Sequence, residues 1–430
     1  MLLKSAFLSL YEGLWVVILG LSRLWASMSK SFAIKLRQRE DALVRISTWP
    51  RMRVRFPRCI LFVCSSAGEY EQAKPLIKRF ATRGDTAVFI LFFSPSGIRF
   101  ANSQKEEIPF SLVASDRPSY WREICTELRP DAVFCVRYEL WPGMVNIVSE
   151  FAPIYLIDGV EAPHLREKAL ARRLRSKLIT PMKKISVVSA GDAEFYQTVL
   201  NASPEQIFVT GDTKYDRVLE RLVEREPKLL DLKVQLKNFT TGRRVIVLGS
   251  AWPRDLEEFM RVYPALKTFD PKIAVILAPH DLSDDNLETM LKMLEGVSVC
   301  RVSSDTYSSA NASHDVLFVD VLGDLPELYG CAELAWVGGA LHFRVHNVLE
   351  PACRGLYICF GPHFQTSQEA KGLVAENLAR VIHTGSEFLE WYKSLSFSSS
   401  PPDQAMANAV SKQKGASDRI MTQVTASWRQ

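Results

Sequence analysis

No C-x-x-C pair occurs in this sequence, and its eight cysteines (Cys59, Cys64, Cys125, Cys135, Cys300, Cys331, Cys353 and Cys359) are scattered, most of them inside apolar runs such as 59–64. That is how a chain in a reducing compartment uses cysteine as a small buried hydrophobe, and it excludes a disulfide scaffold and a thiolate zinc site. Histidine is sparse, and His342 and His346 sit in a Gly-rich loop around Phe343 and Arg344, so no metal site is assigned. Compositional bias is absent as well: charged residues make up 23% and no long stretch is of low complexity, which argues against a largely disordered chain. Basic charge is missing from most of the length. Residues 1–58 carry eleven Lys/Arg and three Asp/Glu, which is +8 in a chain of net charge +5 and leaves −3 for the remainder. A nucleic-acid-binding face, with basic residues interleaved with aromatics, is therefore not expected, and nucleic acid is not a predicted partner.

What is present is enough apolar material, 47% of 430 residues, for two cores and hence two domains. The chain opens with an apolar segment, 6–28, interrupted by Glu12 and Arg23 and bearing Trp15 and Trp25 toward its ends. Its clean apolar core, 13–21, is shorter than the ~20 residues that span hydrocarbon, so the segment either lies in a membrane or crosses it with both charges reaching the interface. Lys30, Lys35, Arg37, Arg39, Arg45, Arg51, Arg53, Arg55 and Arg58 follow, a density suited to anionic headgroups and to the cytoplasmic side. Residues 1–28 are thus expected to be a retained membrane-anchor helix and 29–58 a basic juxtamembrane segment on an anionic membrane surface. The alternative is an ordinary buried helix followed by a solvated basic tail.

Beyond residue 58, short β-rich runs alternate with helical stretches. The first series is 59–64, 86–94, 131–136, 153–158, 185–189 and 206–210; the second is 244–249, 273–277, 297–302, 316–321, 334–337 and 357–360. Alternation of this kind predicts parallel strands with crossover helices, hence an α/β protein of two doubly wound Rossmann-like domains with a cleft between them. The charged stretch 217–239, ending in Thr-Thr-Gly, reads as the connection. The expected domains are 59–240 and 241–396, and 397–430 begins with a Ser/Pro-rich break and ends in a helix, 404–425, that packs back on the first domain.

Two strand-end segments carry candidate chemistry. Ser65-Ser66-Ala67-Gly68-Glu69 follows the first strand and opens a helix, which puts the Glu69 carboxylate at a strand end facing the cleft. The same residues equally make a helix cap, with Ser66 as N-cap and Glu69 as its partner, worth only about 1 kcal/mol. In the second half, Gly338-Gly339 and then His346-Asn347-Val348-Leu349-Glu350-Pro351 join a strand to a helix start. Gly lets backbone approach a ligand, a helix N-terminus offers N–H groups to a phosphate, and Glu350 suits ribose hydroxyls.

Taken in order, these segments resemble the Kdo (3-deoxy-D-manno-octulosonic acid) transferases of lipopolysaccharide synthesis. The resemblance includes 66–69, 94–97, Tyr138-Glu139-Leu140-Trp141-Pro142, 209–216 with Lys214, Gly249-Ser250, 320–325, 337–339, 346–352, 361–365, and Gly415-Ala416 with Arg419. It implies the GT-B fold, a CMP-Kdo donor, a lipid A precursor such as lipid IVA as acceptor, inversion by a single displacement, no cofactor, and residence at the cytoplasmic face of a bacterial inner membrane. It implies Glu69 as general base, with Glu139 and Lys214 supporting the transition state. CMP is expected on Ala278, Pro279, His280, Leu322, Gly323, Asp324, Asn347, Val348, Leu349 and Glu350, with Ser250, Gly338, Gly339, Arg344 and His346 as further donor contacts.

The match departs from the commonest family form at four places. Pro279 stands where an Arg is usual, Arg137 where an acidic residue is usual, and Arg344-Val345 where Gly-Gly is usual; the segment after Asp158 also differs. The two alternatives to an active Kdo transferase are a related inverting transferase with another nucleotide-sugar donor, for which Pro279 is the clue, and an inactive GT-B scaffold, against which the intact Glu69 argues. Arg344 is expected to grip the donor anion in place of the Arg that Pro279 replaces, or else to be a solvated loop residue.

Overall fold

The computed structural model describes residues 2–29, 37, 46–137, 140–395 and 403–426. The chain divides into two compact units, 1–217 with 414–430, and 218–413.

The first unit is built on a seven-stranded, wholly parallel sheet of β1 (Arg58–Cys64), β2 (Thr86–Phe92), β3 (Phe110–Leu112), β4 (Ala132–Val136), β5 (Ile154–Gly159), β6 (Lys184–Val187) and β7 (Ile207–Val209), in the order β3-β2-β1-β4-β5-β6-β7. A parallel sheet covered on both faces needs strands that are apolar on both sides, and Cys59–Cys64 are fully buried. Alternate residues serve opposite layers: Cys59, Leu61 and Val63 pack with Trp121 and Met144, whereas Ile60, Phe62 and Cys64 pack with Tyr70, Ile77 and Phe80. The second layer also receives Ile420 and Val424 from the helix Ala416–Ala426, each worth about 1.5–3 kcal/mol of burial.

The second unit repeats the plan with β8 (Arg244–Ala251), β9 (Ile273–Pro279), β10 (Val299–Arg301), β11 (Val316–Phe318), β12 (Leu334–Val337), β13 (Tyr357–Phe360) and β14 (Ala379–Val381), again all parallel, in the order β10-β11-β9-β8-β12-β13-β14. Val245 and Val247 face one core, and Ile246 and Leu248 the other.

The twelve runs anticipated from sequence are all strands. The two that periodicity does not pick out, β3 and β14, are three-residue edge strands; β7 and β10 are as short and lie at the other edges, so length alone does not separate them. Two boundaries differ from the sequence expectation. The division between the units falls inside the helix Thr213–Glu224 and not near Thr241, because the following helix, Glu226–Gln235, inserts Leu232 into the core of the second unit with Leu236 and Phe239 just beyond it. The single helix expected over 404–425 is two, Asp403–Gln413 and Ala416–Ala426, broken at Gly415 with φ +87°. The first belongs to the second unit and only the other to the first unit.

At the N-terminus, Leu2–Met28 is one helix, long and apolar enough to cross a membrane by length and composition, with Leu10, Leu14, Val17, Leu21, Leu24, Trp25 and Met28 exposed. Its charged interruption is not free to face lipid. The Glu12 carboxylate accepts from Arg117 Nε (2.7 Å), Ser119 N (3.0 Å) and Ser119 Oγ (2.7 Å), and Tyr11 Oη donates to Asp116 Oδ2 at 2.9 Å. Of the basic segment 29–58, residues 30–36 and 38–45 lie outside the described residues.

Candidate functional site

In each sheet the strand order switches direction beside the unit's first strand, and a ligand-binding crevice lies at the strand C-termini beside such a reversal. In the first unit the reversal is between β1 and β4. Glu69 follows β1 in the first turn of the helix Ala67–Ala81, half-buried. Ser66 is the N-cap, its Oγ accepting from Glu69 N at 3.4 Å, and the Glu69 carboxylate accepts from Ser65 N. The capping geometry therefore exists, and it is compatible with a second role, since an ionised carboxylate has about four acceptor positions. Glu139 follows β4 and lies outside the described residues.

Lys214 opens the helix after β7 and is tied to this edge by a polar network. Its backbone N–H donates to Asp212 Oδ1 (2.8 Å), and Asp212 Oδ2 pairs with Arg137 Nη2 at 2.8 Å. Gln72 Nε2 donates to Asp212 Oδ1 at 3.3 Å, Thr213 N donates to Asp158 Oδ1 at 3.0 Å, and Thr213 Oγ1 lies against both Asp158 Oδ2 and Gln72 O. Glu71 pairs with Arg217 at 3.0 Å. The helix bearing Glu69 is thus bound to the helix bearing Lys214. Asp158 is fully buried at the end of β5, and burial, with the Asp212 charge beside it, pushes its carboxyl well above the ordinary range. Arg137 is here the counterion of Asp212. Asp216 adds a further tie, accepting from Gly415 N (2.6 Å) and Ser417 N (2.7 Å), while Arg419 Nε donates to Thr210 O at 2.8 Å.

In the second unit the reversal is between β8 and β12, with β9 on the other side of β8. Their C-terminal ends bring together Ser250, the Ala278-Pro279-His280 segment and the Gly338–His346 loop. His280 N donates to Ala251 O (2.9 Å), Gly338 N to Gly249 O (2.9 Å) and His346 N to Gly338 O (3.3 Å). The glycines are required: a Cβ on Gly338 would stand 2.4 Å from Ser250 O, and one on Gly339, at φ +89°, 2.4 Å from Arg344 O. Asp255, buried, holds this turn by accepting from Gly339 N and Trp252 N, each at 2.9 Å. The His280 ring stacks on His346 at 3.9 Å, and Trp252 Nε1 donates to His346 Nε2 at 3.0 Å. Arg344 is exposed beside them, its guanidinium 5.2 Å from the Phe343 ring centroid.

The remaining candidates are less available than the sequence suggests. The phosphate-binding helix start expected near Asn347 is a five-residue helix, Leu349–Cys353, whose Leu349 N–H is already taken by Asn347 Oδ1 at 3.1 Å. Val348 and Leu349 are buried, so only their backbone can meet a ligand. Glu350 lies 3.5 Å from Arg221. In the 322–324 turn, Leu322 is exposed, Gly323 O accepts from Arg225 (2.7 Å), and Asp324 accepts from Tyr307 Oη (2.8 Å) and is bound by Lys228. Trp252, Asp255 and Asp158 were given no role by sequence reasoning. A Trp-Pro pair directly after the strand that ends Gly249-Ser250-Ala251 was the available signal for the first.

Two parallel Rossmann-like units of this kind define the GT-B class, and the likeness to solved structures agrees: the UDP-GlcNAc 2-epimerase from Neisseria meningitidis, bound to UDP-GlcNAc, matches with a TM-score of 0.62 at 12% identity, over 86% of this chain and 100% of that one. At that identity the likeness establishes the fold alone. The likeness to a family comes from sequence. Residues 35–217 match the family model described as 3-deoxy-D-manno-octulosonic-acid transferase (kdotransferase). A bifunctional glycosyltransferase/methyltransferase of Fusobacterium nucleatum is 26% identical over 341 residues (76% of this chain, 51% of that protein). A 3-deoxy-D-manno-octulosonic acid transferase of Rickettsia typhi is 24% identical over 286 residues (65% of this chain, 59% of that protein). Residues 35–217 thus match the Kdo transferase family model and the chain is similar to Kdo transferases over much of its length, while spanning between half and three fifths of the length of these two relatives.

Proposed function

We propose that this protein transfers Kdo from CMP-Kdo to a lipid A precursor, with inversion, at the cytoplasmic face of a bacterial inner membrane. The observation that carries the reading is the position of Glu69: it stands at the strand-order reversal of the unit that the kdotransferase family model matches. In the reaction the acceptor hydroxyl oxygen bonds to the anomeric carbon of Kdo, its proton passes to Glu69, and the bond to the CMP phosphate breaks. Glu139 and Lys214 support this transition state, Lys214 as the cation near developing negative charge. CMP lies on the β9-β8-β12 edge of the second unit, where Arg344 supplies the cation that Pro279 does not. The exposed apolar face of Leu2–Met28 sits in the membrane, and the basic residues after it add headgroup attraction. Incubating the full-length protein with CMP-Kdo and lipid IVA and weighing the lipid product tests the proposal: a gain of Kdo units supports it, and an unchanged lipid refutes it.

One observation favours a second reading. Pro279 is buried at the end of β9, where the commonest family form has an Arg, so this edge is altered at its donor contacts. A related transferase using another nucleotide sugar would bind UDP more tightly than CMP, and the comparison of the two affinities separates the readings. An inactive scaffold would show no difference between wild type and Glu69→Gln.

A further inference from the structure

The second unit's donor edge contains a hydrogen bond whose direction is fixed by chemistry. An indole Nε1–H donates and never accepts, so Trp252 Nε1, 3.0 Å from His346 Nε2, requires a lone pair on that nitrogen. The His346 proton then resides on Nδ1 and the ring is neutral. Among the described residues no acceptor takes that Nδ1–H. Trp252 is itself held: its backbone N–H and that of Gly339 share Asp255 Oδ2, and its ring lies 5.0 Å from His280 and 5.6 Å from His342. The His280 ring covers one face of His346 at 3.9 Å.

We propose that Trp252 is a positioning residue of the donor site, locking His346 as the neutral Nδ1–H tautomer so that it offers one hydrogen bond to an anionic oxygen, phosphate or carboxylate, of the bound nucleotide sugar. This rests on the reading that the second unit binds CMP-Kdo. The groups facing His346 are His280 from the end of β9, with Asp281 behind it, His342 and Arg344 from its own loop, and Asp255 beneath Gly339. Burial, then the neighbouring His280, Arg344 and His342, keep the imidazole neutral down to about 4. His346 is therefore a donor of constant charge across the physiological range and not a general acid or base, and the positive charge on this edge comes from Arg344.

The tautomer is read directly from two-bond ¹⁵N–¹H spectra of full-length protein labelled at histidine, with His346 assigned by the signal that disappears in His346→Gln. Wild type is expected to show the Nδ1–H pattern unchanged from pH 8 to pH 5. In Trp252→Phe, which keeps an aromatic ring without the N–H, the His346 midpoint should rise by about one pH unit and the tautomers should mix. An Nε2–H pattern in wild type, a measurement that needs no Trp252 variant, overturns the proposal, as does an unchanged midpoint in the variant. CMP titrations at pH 8 and pH 5.5 supply the second arm. The ratio of variant to wild-type affinity cancels the phosphate's own titration; it should be several-fold below one at pH 8 and rise measurably toward one at pH 5.5 as part of the variant's His346 takes up a proton, and a ratio constant with pH overturns the binding role. Failure of wild type to bind CMP would defeat the donor-site reading, while the spectra would still decide the tautomer.

Discussion

The two units are both built on seven-stranded parallel sheets, differing in the place of the fourth strand, and hold their strand-end residues by opposite means. In the first, Arg137, Asp158, Asp212, Gln72 and Thr213 form a mostly buried network of charges and hydrogen bonds under Glu69 and Lys214. In the second, the edge is glycine, indole and imidazole, with one exposed guanidinium, Arg344. A buried charge network fixes geometry because any member left unpaired is costly, which suits the proposed roles of Glu69 as base and Lys214 as cation. An edge of small and aromatic residues leaves room for a flat base and a phosphate to approach backbone. On this comparison the first unit is the more sensitive to charge removal and the second to changes of shape and hydrogen-bond direction.

The largest expected effect is on chemistry in the first unit. Glu69→Gln should lower turnover by about 10²–10⁴ while leaving CMP affinity and the folded state intact, because it removes a proton acceptor without changing shape. Steady-state kinetics beside CMP titration checks this, and unchanged turnover would remove Glu69 from the role of base.

Next comes the network beneath it. Arg137→Ala strands Asp212, whose side chain is only 4% exposed, and should cost about 2–3 kcal/mol, less than the 3–5 of a fully buried pair because Arg137 retains some water. Urea unfolding followed by the first unit's tryptophans reports it. Arg344→Ala in the second unit should leave that transition alone and weaken CMP-Kdo binding by about 1.5–3 kcal/mol, with Arg344→Lys recovering part of the affinity. Calorimetry showing donor bound as tightly as by wild type would make Arg344 a solvated loop residue.

A smaller effect concerns pH. The Asp158 carboxyl is raised by burial and by Asp212, so the folded chain holds a proton that the unfolded chain has released above about pH 4. The resulting stabilisation is complete below that pH and is lost as pH rises through the raised value. The wild-type urea midpoint should therefore fall between pH 5 and pH 9, and Asp158→Asn, which is neutral throughout, should flatten the slope. The smallest effect is expected at the membrane: deletion of 1–28 should release the protein only in part, with the remainder freed by salt. Salt-insensitive retention would contradict that.

Sequence alone determined which runs are strands, because residues such as Ile60, Phe62 and Val245 must be apolar on both faces of a parallel sheet, and that demand is written locally. It also marked Glu69 and the glycines, since turn and cap chemistry involves neighbours a few residues apart, while Lys214 was marked only by the family resemblance. Tertiary structure alone decided the rest. That Arg137 answers Asp212, that Glu12 is taken up by Arg117 and Ser119, that Asp324 is occupied by Tyr307 and Lys228, and that Trp252 meets His346 are pairings across separations of 17 to 107 residues. Hydrogen bonds and ion pairs act over a few ångströms in space and leave no period along the chain, so partners brought together by sheet topology cannot be read until the strands are in order.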